Sequence, residues 1–246
     1  MMKSLLAAFR FLTIVPLGKS ALKNEEVAGA AAWFPLVGYA LGLIYLGTAK
    51  LLGGRTSSEI IAFLILALMV VISGGLHLDG LSDWADSFGG RDREARLRIM
   101  KDSRAGSFGI VAIAMALIGK MVALSALVAA KNLWPLLLAP ALARLSLSLI
   151  IAFTPYARSE GGTGQIFGAH KKWWHAAAAL VIALAPIFLM RAPVLWLAAL
   201  AALLVTALFR LMGMRLLGGF TGDLLGACAE VSEMAVLLLC AGLPAI

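Results

Sequence analysis

Charge is scarce in this chain. Asp, Glu, Lys and Arg make up 14% of its 246 residues while 62% are hydrophobic, and mean hydropathy is +0.96. A soluble domain is about a quarter charged and about half apolar, so the composition excludes one and predicts a polytopic membrane protein. The length leaves no room for a sizeable soluble domain, and residues 1–246 read as a single membrane domain. Cysteine is nearly absent too. Cys228 and Cys240 lie on one apolar segment, separated by about 18 Å of helical rise, too far to bridge each other. Their spacing fits neither a metal nor a redox motif. A cleavable leader is also missing from the pattern: residues 1 to 18 carry Lys3, Arg10, Pro16 and Gly18 without a long apolar core. The net charge of +8 would suit nucleic acid in a basic domain. Here the basic residues are spread over short connectors, so topology accounts for them and no nucleic-acid partner is expected.

What the chain has in abundance is apolar runs. Windows able to cross about 30 Å of hydrocarbon fall at roughly 33–52, 60–77, 107–130, 133–153, 175–190, 193–212 and 225–243. Residues 2 to 15 read as an amphipathic helix lying at the membrane surface, ended by Pro16. The expectation is an all-α bundle of about seven transmembrane helices plus that interfacial helix. Fifteen of the Lys and Arg residues then fall on the N-terminal side. Four (Lys50, Arg55, Lys131 and Arg191) fall on the other, and Lys120 and Arg144 lie inside spans. The asymmetry places the first side in the cytoplasm of a prokaryotic inner membrane and the C-terminus outside. Only Glu59 among the acids falls in an outer connector, so chemistry is expected at the cytoplasmic face, built from 77–106, 154–174 and 214–233.

Four segments carry that chemistry. HLDGLSDWADSFGG, residues 77 to 90, spaces Asp79, Asp83 and Asp86 at i, i+4 and i+7, which puts all three on one helical face. Three like charges at the edge of hydrocarbon repel one another and are costly to desolvate. A hard divalent cation removes both penalties, and Mg²⁺ is commonly shared between one or two carboxylates and a substrate phosphate. The plainer alternative is a helix start bearing solvated acids. His77 reads as an interfacial hydrogen bonder. RDREARLRIMKDSRAGSFG, residues 91 to 109, is a basic amphipathic segment suited to anionic lipid. Its Asp102-Ser103-Arg104-Ala105-Gly106 turn opens a span, where backbone amides and Arg104 offer a place for phosphate. TPYARSEGGTG, residues 154 to 164, is either a glycine-rich ligand loop carrying Arg158 and Glu160 or an ordinary connector. GGFTGDLLGACAEVSE, residues 218 to 233, puts Asp223 at a helix start and Glu230 and Glu233 deeper, where they require a wet cavity, a cation or a buried base such as Lys120 or Arg144.

Taken together, in order and spacing, these segments resemble the cobalamin synthase (adenosylcobinamide-GDP ribazoletransferase) family. FRFLTIVPLG and FPLVGYALGLI near the N-terminus fit as well, so the resemblance runs over nearly the whole chain. It implies an integral membrane enzyme that joins adenosylcobinamide-GDP to α-ribazole or its 5′-phosphate, releases GMP and requires Mg²⁺. It implies metal and nucleotide contacts at Asp79, Gly80, Asp83 and Asp86, and at Asp102, Ser103, Arg104 and Gly106. Asp79, Asp83 and Asp86 are the expected metal ligands, Asp102 and Arg104 join them as catalytic candidates, and Arg158, Glu160, Asp223 and Glu230 are expected ligand contacts. Ser82 and Trp84 depart from the expected pattern without removing an acid. The spaced aspartates are also similar to those of the CDP-alcohol phosphotransferases, but the Ala-Arg dipeptide that follows there is lacking. A cation-coupled transporter would show internal repeats, which are not found, and a scaffold would not need these acids. The sequence leaves a homo-oligomer open. Glu230 is expected to contact ribazole or the corrinoid, the competing role being an ion pair with Arg144 or Lys120.

Overall fold

A computed structural model describes residues 1–18, 21–102, 104–159, 161, 164–190 and 193–243. The expected contacts Ser103 and Glu160, and Lys19 and Arg191 from the charge count, lie outside the described residues. Among those described the chain is all-helical, with one isolated bridge between Tyr156 and Phe220. Helix α1 (Met2–Leu12) buries Ala7, Ala8 and Leu12, and the short α2 (Asn24–Ala28) leads through a 3₁₀ turn into α3 (Phe34–Leu52). Helices α4 (Ser58–Ser73), α7 (Ser107–Ala129), α8 (Trp134–Phe153), α10 (Trp173–Met190), α11 (Pro193–Leu217) and α12 (Gly222–Ala241) follow the apolar windows. Between them lie α5 (Leu76–Asp86), α6 (Arg93–Ile99) and α9 (Gly164–Ala169).

Six of these helices are long and apolar enough to cross a membrane, and α4 with α5 forms a seventh apolar stretch bent by 84°. The protein is a multi-pass membrane bundle. Helices α8 and α12 form its centre, 78% and 67% buried over their apolar windows, against 28% for α7 and α10. The outer faces of the latter expose Ile110, Met115, Ile118, Val181 and Phe188, as helices turned toward lipid do.

The bend between α4 and α5 positions the site. Gly74 and Gly75 both adopt left-handed backbone, at φ 62° and 72°, a region that favours glycine. After them α5 leaves the direction of α4 and runs across the starts of α12 and α7. Contact with α12 is backbone to backbone: a Cβ on Gly80 would lie 3.0 Å from the Asp223 carbonyl oxygen, and one on Gly226 3.1 Å from that of His77. Any side chain at either position would push α5 away from α12.

A candidate active site at one end of the bundle

The i, i+4 spacing of Asp79 and Asp83 falls on a formed helix, α5, whose crossing brings them to the start of α12. There the Thr221 hydroxyl caps the helix by accepting from the Leu224 amide at 3.2 Å, with Asp223 in the first turn. A narrow cavity of about 110 Å³ opens between the two helices, with His77, Asp79 and Gly80 on one wall and Gly222 and Asp223 on the other. Phe11 of α1 closes it from the side, held by Phe34 and Phe167 at ring distances of 5.7 and 5.0 Å. Phe11 lies in the FRFLTIVPLG segment of the family resemblance, but nothing in that segment pointed to this place, because its aromatic packing is long-range.

Arg158 arrives by a different route. The Phe220 amide donates to the Pro155 carbonyl and the Ala157 amide to the Phe220 carbonyl, both at 2.9 Å, so residues 155 to 157 run alongside the entry to α12. Tyr156 and Phe220 pack edge to face at 5.4 Å. Arg93 of α6 locks the pairing, donating from Nε to the Leu217 carbonyl at 2.7 Å and from Nη2 to that of Ala157 at 2.5 Å. The next residue, Arg158, reaches Asp223 Oδ2 through Nη2 at 2.7 Å. Its Nε is buried without a partner.

Carboxylates outnumber bases here. Asp83, half-buried on α5 outside the spanning segments, has its pKa pushed up to about 7, first by burial and then by the charges of Asp79, Asp223 and Asp86, with Arg158 opposing. Crowded acids of this kind are what a cation relieves.

The structure gives Asp86 a task other than the expected metal ligation. Its Oδ2 accepts from the Gly106 amide at 2.7 Å and its Oδ1 from the Gly109 amide at 2.8 Å, capping α7 from a distance. The i+7 position lies at the end of α5, one turn beyond Asp83, and there it meets the unpaired amides of another helix. Among the described residues no three His, Cys, Asp or Glu side chains converge as a preformed metal centre. Mg²⁺, which keeps several waters and takes one or two carboxylates plus phosphate oxygens, is compatible with Asp79 and Asp83 all the same.

Asp102 and Arg104 stand apart from Asp79. They pair with each other at 2.8 Å on an exposed turn, and hydrogen bonding to Arg104 holds the Asp102 carboxyl down at about 2. With Asp86 and Gly106 they line a second, open concavity of about 520 Å³. Glu230 corrects the sequence expectation. Its Oε2 lies 2.7 Å from Lys120 Nζ, which also reaches Glu233 Oε2 at 2.6 Å, while Arg144 Nη1 binds Glu233 Oε1 at 2.7 Å. All four side chains are buried, so Glu230 belongs to an ion network inside the bundle and not to the cavity beside Asp223. The competing pairing is the one adopted, because a carboxylate at that depth is held by the nearest base.

The profile of the cobalamin-5-phosphate synthase family matches residues 4–241. The chain belongs to that family. Its relatives include proteins named adenosylcobinamide-GDP ribazoletransferase from three bacteria. That of Syntrophobacter fumaroxidans is 45% identical over 236 residues, 94% of each chain. That of Pseudomonas paraeruginosa is 43% identical over 248 residues, 96% of this chain and 97% of its own. That of Chlorobaculum tepidum is 38% identical over 249 residues, 98% of this chain and 96% of its own. No solved structure matches. For this cobalamin-5-phosphate synthase family member, the match covers α5 and the start of α12, which line the acidic cavity, and the 155–158 segment whose Arg158 pairs with Asp223.

Proposed function

We propose that this protein is the membrane transferase that joins adenosylcobinamide-GDP to α-ribazole, or to its 5′-phosphate, and releases GMP. The observation that carries the chemistry is the surplus of carboxylates facing one arginine. Anionic substrate and acidic protein can meet in such a place only with a cation between them. Asp79 and Asp83, i and i+4 on α5, would hold Mg²⁺. When bound, the ion neutralises charge on the phosphate oxygens and on the leaving GMP.

The rest belongs to the protein. Arg158, paired with Asp223 beside the cavity, would supply positive charge to a phosphate bound there. A ribazole hydroxyl forms a bond to the phosphorus that carries cobinamide, the bond from that phosphorus to the GMP oxygen breaks, and a carboxylate takes the hydroxyl proton. Asp223 is placed for that role, on the α12 wall opposite Asp79. The fifteen-to-four distribution of basic residues supports a cytoplasmic orientation for this end in the inner membrane of a prokaryote, the side on which nucleotides are available.

Release of GMP from adenosylcobinamide-GDP by purified protein tests the proposal, with Mg²⁺ and α-ribazole each added or withheld. Release only when both are present is the expected result. No release under any condition would remove the assigned reaction, and undiminished release in chelator would remove the metal.

A further inference from the structure

The end of the bundle remote from the acidic cavity holds a site of opposite charge. The last turn of α3, the start of α4, the end of α7 and the start of α8 enclose a cavity of about 550 Å³ whose lining includes Lys50, Gly54, Thr56, Ser58 and Lys131. A smaller cavity of about 170 Å³ shares Lys50, Lys131 and Leu133 and extends to Leu46 and Trp134. No acid lines either one, and neither lysine makes an ion pair among the described residues. Helices α4 and α8 begin at this cavity and α3 and α7 end at it, so opposite dipole ends offset one another and the positive charge is that of the two ammonium groups. Lys131 is held in place by an unusual backbone: at φ 55° it is the only non-glycine residue with positive φ among those described.

The apolar extension decides what the anion is attached to. Leu46, Leu133 and an exposed Trp134 continue the cavity along the bundle surface, and tryptophan favours the level of lipid headgroups. A zwitterionic headgroup would bring an ammonium that finds no carboxylate in the lining. An anionic one needs none.

We propose that this cavity binds the phosphate of an anionic phospholipid between Lys50 and Lys131, with the lipid chains lying along Leu46 and Trp134. The test uses the full-length protein in neutral detergent. Phosphatidylglycerol, phosphatidylcholine or inorganic phosphate is added, and retained lipid (native mass spectrometry) and melting temperature are read. The Lys50→Gln/Lys131→Asn double variant is compared with Lys101→Gln/Lys172→Gln, which removes the same charge from the other end. Asn is chosen at 131 because it tolerates left-handed backbone. Phosphatidylglycerol should raise the melting temperature of the wild type and of the Lys101/Lys172 variant. The Lys50/Lys131 variant should lose that rise and retain one phosphatidylglycerol fewer. Equal retention and equal stabilisation in both variants would overturn the site. Stabilisation by phosphatidylcholine or by inorganic phosphate as large as that by phosphatidylglycerol would overturn the assigned ligand.

Discussion

Helix α12 carries acids at two depths. At its start Asp223 faces Asp79 and Asp83, with Arg158 as the one base joined to it. About 10 to 15 Å further in, Glu230 and Glu233 meet Lys120 and Arg144 at 2.6 to 2.7 Å. Two acids and two bases make the inner set neutral and leave it nothing to bind. The outer set has a surplus of negative charge and a cavity; a buried arginine Nε without a partner is common to both, on Arg158 and on Arg144. The same residue type thus serves cohesion where its charge is matched and chemistry where it is not.

Breaking the inner set should have the largest effect on the fold. Glu233→Gln strands Arg144 and half of Lys120's pairing in a buried place, a loss of about 3–5 kcal/mol. Thermal unfolding in detergent measures it. Glu230→Gln should cost less, because Lys120 keeps Glu233, and should leave KM for both substrates unchanged. An altered KM with normal stability would return Glu230 to the substrate site.

In the outer set the signs reverse. Asp79→Asn and Asp83→Asn should each cut GMP release by more than about 10²-fold, since changing mere supporting groups of a metal site already costs 10–100-fold. Asp83→Asn should nevertheless raise the melting temperature in the absence of metal, because it removes a crowded charge. The pH dependence follows from linkage. With its folded pKa raised to about 7, Asp83 binds its proton more tightly in the native state than in the unfolded one. Its stabilising contribution is present below about pH 4 and lost as pH rises through about 7. In chelator the wild-type melting temperature should therefore fall over that range, and Asp83→Asn should flatten the curve.

Smaller effects belong to the neighbouring turn. Asp86→Asn leaves one oxygen for two amides at the start of α7 and should cost about 1 kcal/mol, with GMP release reduced far less than by Asp79→Asn. An equal loss of turnover would restore Asp86 to the metal. Arg104→Gln, changing an exposed residue, should leave the melting temperature unmoved.

The apolar windows of the sequence coincide with α3, α4, α7, α8, α10, α11 and α12, and the amphipathic N-terminus with α1, because each such pattern is a local property of the chain. The helical face shared by Asp79 and Asp83 was legible for the same reason. What spacing could not carry is everything set by the fold of α5. The turn at Gly74 and Gly75 points Asp79 toward a helix more than 140 residues away and hands Asp86 to the amides of α7. Arg158 could be singled out as a ligand candidate, but its partner Asp223 is 65 residues distant and the bridge that joins them has no sequence signature. Arg93 looked like one more arginine of a lipid-facing helix; its two carbonyl partners are 64 and 124 residues away.

Because Arg93 and the Tyr156–Phe220 bridge tie together three connectors, the cavity doubles as a record of how the chain was threaded. Helices α7 and α8 separate Arg93 from Ala157, and α10 and α11 separate Ala157 from Leu217. Each pair must go out and come back for its connector to return to the same side. If one helix of a pair fails to insert, the next connector is delivered to the wrong compartment and the arginine loses a carbonyl. Only chains whose four crossings are all completed bring Arg93 to both carbonyls, so a misinserted copy lacks the tie that sets Arg158 beside Asp223.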